Sequence, residues 1–162
     1  VRPAPAPCVF RLPAALGRAP RAPARRAAAA APPPPHPRIM AKKALVTGGA
    51  SGIGLALVTQ LARNGAKVAV NHLADDARGP EQVEALRAQG LEVIGAPGNV
   101  GDAQDCERMV LTAIRDLGRL DYLACNAGTP GTRTAVPPTA LDRLTEELWE
   151  TVIQVNLLGV FR

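Results

Sequence analysis

The sequence predicts an α/β fold: a doubly wound parallel sheet of about four strands, with helices on both faces. Three observations predict it. From residue 43 onward, short apolar runs alternate with stretches of helical period. The first apolar run ends in a glycine-rich turn, Gly48-Gly49-Ala50-Ser51-Gly52-Ile53-Gly54. Apolar residues make up 47% of the 162, enough for one core.

The elements follow in order. Lys43 to Thr47 is an apolar run stopped by glycines, hence a short buried strand. Ile53, Leu57 and Leu61 recur at helical spacing, which predicts a helix over 52–64 closed by Asn64-Gly65. Lys67 to Asn71 is a second strand, followed by a polar loop with Asp75, Asp76, Gly79 and Pro80. Pro80 to Gln89 reads as a helix, with proline in its first turn and Gly90 as its stop. Leu91 to Gly95 is a third strand. Asp102 to Leu117 is a third helix, with Cys106, Met109, Val110, Ala113, Ile114 and Leu117 on one face. Leu120 to Cys125 is a fourth strand. Thr129 to Asp142 is rich in turn residues, and Thr145 or a neighbour can cap a last helix with Glu146 and Glu147 in its first turn. That helix is apolar on two sides, Leu148, Val152 and Val155 on one, Trp149, Ile153, Leu157 and Phe161 on the other, so it needs two burial partners. Alternation of this kind defines the Rossmann-like class, in which ligands sit beyond the carboxyl ends of the strands.

The first strand end is the glycine turn. Backbone N–H groups at a helix N-terminus are unpaired and carry partial positive charge. An anion reaches them only where no Cβ intervenes, which is the use of glycine here. A plain strand-to-helix turn needs one or two glycines, whereas this one has four. The spacing is Gly-x-x-x-Gly-x-Gly, not the commoner Gly-x-Gly-x-x-Gly. Thr47-Gly48-x-x-x-Gly52-Ile53-Gly54 closely resembles the cofactor motif of the short-chain dehydrogenase/reductase family, in particular its 3-oxoacyl-acyl-carrier-protein-reductase-like branch. The resemblance implies cofactor contacts at Gly48, Ser51, Gly52, Ile53 and Gly54.

The other strand ends extend it. No acid closes the second strand to bind the ribose hydroxyls and favour NAD. His72 stands where the resemblance places a discriminating Asp, and Leu73 where NADP-preferring members often carry Arg. Loss of the carboxylate removes repulsion against a 2′-phosphate, and a protonated His72 attracts one, so NADP(H) is favoured over NAD(H). The competing reading of His72 is a solvated loop residue. At the third end, Asn99-Val100 replaces the Asp-Val that touches adenine in the family; Asn99 keeps an acceptor, and the alternative is a turn residue capping the next helix. At the fourth, Asn126-Ala127-Gly128 resembles the family's Asn-Ala-Gly, with Cys125 in place of a further Asn before it. In the family this motif steadies the central sheet and borders the nicotinamide ribose. Asn156 lies mid-helix among apolar residues. A helix–helix hydrogen bond would explain it, and the resemblance assigns it to the catalytic tetrad, holding a water of the proton relay.

The match covers Met40 to Arg162, roughly the first half of the family domain. The family's catalytic Ser and its Tyr-x-x-x-Lys pair fall beyond it; the single Tyr, Tyr122, lies in a strand with no Lys four residues on. The resemblance thus implies an NAD(P)-dependent oxidoreductase that transfers hydride between nicotinamide and a small carbonyl or alcohol substrate. This chain would be its cofactor-binding half, inactive alone. The alternatives are a non-catalytic dinucleotide-binding module and an inactive fragment. The full-length enzyme is expected to be a homo-oligomer through the last helix.

Residues 1–39 stand apart: they hold seven of the 19 basic residues, no acidic ones and 11 of the 16 prolines. Such a leader cannot bury enough apolar surface to order itself. It reads as a disordered arm, a transit peptide without serine, or upstream sequence translated by mistake. The last is favoured, because Met40-Ala-Lys-Lys is a natural start. The net charge of +5 comes from the leader; residues 40–162 carry 12 basic against 14 acidic residues. Nucleic acid is therefore not an expected partner, with aromatics only 2% of the chain. No apolar run suits a membrane span. Cys8, Cys106 and Cys125 lack metal-ligand spacing and no metal is expected; Cys106 and Cys125 read as small buried hydrophobes of a reducing compartment. The expected location is cytoplasmic, or an organelle if the leader targets it.

Overall fold

The computed structural model describes residues 39–132, 134, 136, 137 and 139–162. The expectations for residues 1–38 lie outside the described residues.

Four strands form one parallel sheet in the order β3-β2-β1-β4, with β1 Lys43–Val46, β2 Lys67–His72, β3 Val93–Pro97 and β4 Tyr122–Ala124. Helix α1 (Gly52–Arg63) joins β1 to β2, α2 (Arg78–Ala88) joins β2 to β3, and α3 (Ala103–Leu117) joins β3 to β4. The chain reverses its direction across the sheet between β1 and β4.

Side-chain alternation along the strands divides the core in two. Ala44, Val46, Val68 and Val70 face one way and pack with Val58 of α1 and Val83 and Leu86 of α2. Leu45 and Ala69 face the other way and pack with Cys106, Met109 and Ala113 of α3. Strands buried on both faces read as continuous apolar runs, which is how they appear in the sequence.

The boundaries moved for local reasons. Both α1 and α2 end in a left-handed glycine with paired return hydrogen bonds. The Gly65 N–H donates to the Ala62 carbonyl (2.9 Å) and Ala66 N–H to Leu61 (3.1 Å); Gly90 N–H donates to Arg87 (2.8 Å) and Leu91 N–H to Leu86 (3.2 Å). Leu91 thus belongs to the close of α2, and β3 starts at Val93 rather than at Leu91. Helix α2 begins two residues ahead of Pro80, because the Asp76 carboxylate accepts the Arg78 N–H (3.1 Å). Asp102 caps α3, accepting from the Asp105 N–H at 2.8 Å. Strand β4 is shorter than the apolar run: the Asp121 N–H still donates to the Lys43 carbonyl (2.8 Å), but the Lys43 N–H is taken by the Asp121 carboxylate (2.8 Å) instead of a backbone carbonyl.

Beyond β4 come a 3-10 turn over Leu141–Arg143, α4 (Glu146–Ile153), a π-turn over Gln154–Leu158 and α5 (Gly159–Phe161). Thr145 caps α4 through Leu148 N–H (3.3 Å). The Leu148–Val152–Val155 side is half-buried, while Trp149, Ile153, Leu157 and Phe161 lie exposed. Tyr122 and Leu123 of the edge strand are also exposed. Of the cysteines, Cys106 is buried, but Cys125 is exposed rather than buried as its sequence context suggests, because it follows the edge strand β4, whose Tyr122 and Leu123 are also uncovered. No helix among the described residues is long and apolar enough to cross a membrane.

Candidate functional site

A cleft of about 670 Å³ opens at the carboxyl ends of the strands, over the junction of β1 with β4 and β2. Its floor is the glycine turn. Gly48 has φ +62°, and a Cβ there would lie 3.0 Å from the Ala127 Cα. At Gly54 a Cβ would stand 2.1 Å from the Gly48 carbonyl oxygen, so only glycine lets α1 seat on the turn. Gly52 (φ +53°) differs: its Cβ would meet nothing within 4 Å, so the approach to the first turn of α1 is open. Ser51, the N-cap residue, makes no side-chain capping bond, and no acid occupies the first turn. The orphan N–H groups and positive dipole end of α1 thus face the cleft unneutralised. This cradle fits an anionic group such as a dinucleotide's pyrophosphate. Ile53, 82% exposed, forms its lip.

Three side chains lock the floor. Thr47 Oγ1 accepts the N–H groups of Asn126 (2.9 Å) and Ala127 (3.0 Å), and Asn126 Nδ2 donates to the Thr47 carbonyl at 3.0 Å. These bonds sew the ends of β1 and β4 together. Asn71, only 2% exposed, does the same for the other strands. Its Oδ1 accepts Gly48 N–H (3.0 Å), while Nδ2 donates to the Ala96 (3.0 Å) and Gly98 (2.9 Å) carbonyls.

The chemistry of the strand ends matches a known family. The family model for short chain dehydrogenase matches residues 42–162. The chain belongs to the short chain dehydrogenases. Among curated relatives of the family, the 3-oxoacyl-acyl-carrier-protein reductase FabG of Staphylococcus aureus is 38% identical over 122 residues, covering 75% of this chain and 47% of the relative. Among solved structures, a short chain dehydrogenase from Burkholderia cenocepacia in complex with NADP superposes with a TM-score of 0.66 at 32% identity, over 76% of this chain and 48% of that one. A variant of actinorhodin polyketide ketoreductase with NADPH gives a TM-score of 0.66 at 34% identity, over 75% and 44%. The chain spans about half the length of the curated relatives it matches.

Most residues singled out from the sequence line this cleft: Gly48, Ser51, Gly52 and Ile53 at the turn, His72 after β2, Asn99 and Val100 after β3, and Asn126, Ala127 and Gly128 after β4. Gly54 lies beneath the lining, as a packing glycine. His72 is not a solvated loop residue: it closes β2, is 7% exposed, and shares a 2.9 Å hydrogen bond between Nδ1 and the Leu73 carbonyl. Asn99 uses its Oδ1 to accept Gly101 N–H (2.9 Å), so its acceptor is engaged within its own turn; capping of α3 falls to Asp102. Asn156 is exposed, in the π-turn, and not among the residues lining the cleft. Both ends of its amide hold Thr129, with Oδ1 accepting the N–H (2.8 Å) and Nδ2 donating to the carbonyl (2.9 Å). Thr129 itself lines the cleft.

Sequence reasoning missed Asn71, Asp76 and Arg78. A polar residue next to the end of an apolar strand marks the position of Asn71 but not its partners. Asp76 and Arg78 line the cleft beyond β2 as a fork-to-fork pair, Nε to Oδ1 at 2.9 Å and Nη2 to Oδ2 at 2.8 Å. The side chain and then the backbone N–H of Arg78 hold the Asp76 carboxyl below its usual range, and Asp76 raises Arg78 in turn. Burial pushes the Cys106 thiol up, which keeps it a neutral core group.

Proposed function

We propose that this chain is the cofactor-binding half of an NAD(P)-dependent oxidoreductase that interconverts a carbonyl and an alcohol. The observation that carries this reading is the open, uncapped start of α1 at the point where the strand order reverses. The NADP and NADPH complexes among its structural relatives support a nicotinamide cofactor. When bound, the cofactor supplies the hydride.

The chain's own residues bind and orient. The N–H groups at Ser51, Gly52 and Ile53 hold the pyrophosphate. Asn99 and Val100 border the adenine, and Asn126-Ala127-Gly128 borders the nicotinamide ribose. Asn156 belongs to the proton relay, and it reaches the cleft rim through the Thr129 backbone. Residues 40–162 form one cofactor-binding unit. The exposed α4 face serves association of the full-length enzyme, and its location is cytoplasmic; size measurement and imaging of the full-length protein test both.

The test is titration of the full-length protein with NADPH and NADH, followed by reduction of small carbonyl compounds. Binding with turnover is expected. One observation favours a second reading, a binding module without catalysis: both ends of the Asn156 amide are spent on Thr129. Tight binding without cofactor oxidation by any carbonyl tried would select that reading, and failure to bind either dinucleotide would reject both.

A further inference from the structure

The cleft end beyond β2 is lined by four side chains, His72, Leu73, Asp76 and Arg78. Three are polar, and they are not equivalent. The His72 ring is locked. Its Nδ1 is engaged by the Leu73 carbonyl at 2.9 Å, its Nε2 lies 3.5 Å from where a Gly95 Cβ would be, and a Cβ on Gly79 would come within 2.2 Å of the ring. Helix α2 therefore sits directly on the imidazole, and the ring cannot swing toward a ligand without moving that helix.

Asp76 lies 22 residues past Gly54, the distance at which an acid would take ribose hydroxyls and exclude a 2′-phosphate. Here both carboxylate oxygens are already committed. Oδ1 accepts the backbone N–H (3.1 Å) and Nε (2.9 Å) of Arg78, and Oδ2 accepts Nη2 (2.8 Å). The turn that carries the carboxylate is itself fixed, with Asp76 N–H on Leu73 (3.3 Å) and Gly79 N–H on Asp76 (2.9 Å). Arg78 is the opposite case. Its side chain is 77% exposed, and Nη1 with the outer edge of Nη2 is left as a donor set. What this end of the cleft offers a ligand is thus a guanidinium fork whose orientation is set by an acid. That donor set matches a phosphate dianion, not a pair of hydroxyls.

We infer that Arg78, aimed by Asp76, receives the 2′-phosphate of an NADP-type cofactor, and that His72 does not. The inference rests on the dinucleotide reading above. Arg78 is the contacting residue and Asp76 the positioning residue.

The experiment is equilibrium titration of the full-length protein with NADPH and with NADH, read by nicotinamide fluorescence, with adenosine 2′-phosphate and adenosine 5′-phosphate as competitors. Arg78→Ala should weaken NADPH by roughly ten- to hundredfold and NADH by less than about threefold. Arg78→Lys should recover part of the loss, since it keeps the charge without the fork. Asp76→Asn keeps an oxygen for the Arg78 N–H and Nε but turns an NH2 toward Nη2, so the fork loses its aim and NADPH should weaken, by less than in Arg78→Ala, with NADH little changed. Adenosine 2′-phosphate should compete against wild type and lose that advantage in Arg78→Ala. Equal losses for both cofactors, or a selective NADPH loss in His72→Gln with none in Arg78→Ala, would overturn the inference. Wild-type protein that binds NADH but not NADPH overturns it while leaving the dinucleotide reading intact. Protein that binds neither refutes the dinucleotide reading itself.

Discussion

At the scale of single residues, the glycines of the turn have different duties. Gly54→Ala drives a methyl into the Gly48 carbonyl, 2.1 Å away, and should cost about 3 kcal/mol or more of stability. Gly52→Ala meets no atom and should cost only about 1 kcal/mol for its left-handed backbone. It should nonetheless weaken dinucleotide binding, because the methyl stands in the open approach to α1. Denaturant melts of the full-length variants beside NADPH titrations separate the two effects; equal stability losses would contradict this division. Asn71→Ala removes the partner of one N–H and two carbonyls and should cost about 2–4 kcal/mol by the same melts. The glycines were legible because they cluster along seven consecutive residues. Asn71 was not, because its partners lie 23, 25 and 27 residues away and no local pattern signals them. Arg78 was equally hidden. Nothing in its neighbours shows that Asp76 will turn it toward a ligand.

At the scale of elements, existence was easier to read than extent. All four strands and the three helices between them are where hydrophobic period places them, and the differences arise at the ends. Leu91 is apolar and precedes Val93, so pattern alone assigns it to β3, yet the closing turn of α2 claims its N–H. At the start of β4 the edge strand is secured by a side chain. Asp121 accepts the Lys43 N–H at 2.8 Å and pairs with Arg119 at 3.1 Å. The Lys43 N–H first, and Arg119 second, hold its carboxyl below the usual range. Folding therefore favours the ionised form. The stabilisation is complete above the ordinary carboxylate pKa and is lost as pH falls through the lower folded value. Asp121→Asn should lower stability at neutral pH and narrow the gap between neutral pH and about pH 3. Chemical denaturation at both pH values checks this. An unchanged gap would mean that Asp121 contributes nothing through its charge. Of the caps the sequence allows for the last helix, Thr145 or a neighbour, it is Thr145 that accepts the Leu148 N–H, but the lapse of that helix into a π-turn over Gln154–Leu158 left no trace in the residues. That turn carries Asn156, the residue whose partner, Thr129, is 27 positions back.

At the scale of the whole molecule, the sheet ends in an edge strand with Tyr122 and Leu123 exposed, and α4 with its continuation presents Trp149, Leu157 and Phe161 to solvent. Apolar surface of this kind is an association hazard. The 162-residue chain expressed alone should sediment as oligomers or bind a hydrophobic dye, and Leu123→Lys with Trp149→Lys should reduce both. A monodisperse monomer with a sharp cooperative melt would refute the expectation. The alternating order of elements was enough to foresee the class of fold, and the strand order β3-β2-β1-β4 puts the cleft where that class requires. Asn71 and Thr47 fasten all four strand ends into a single rigid plate. A ligand cannot be admitted by spreading that plate, so any change of cofactor must be made at its border, among side chains such as Ile53, Leu73, Arg78 and Thr129. Those residues can be exchanged without disturbing the fastenings, which leaves the floor constant while the rim is free to diverge.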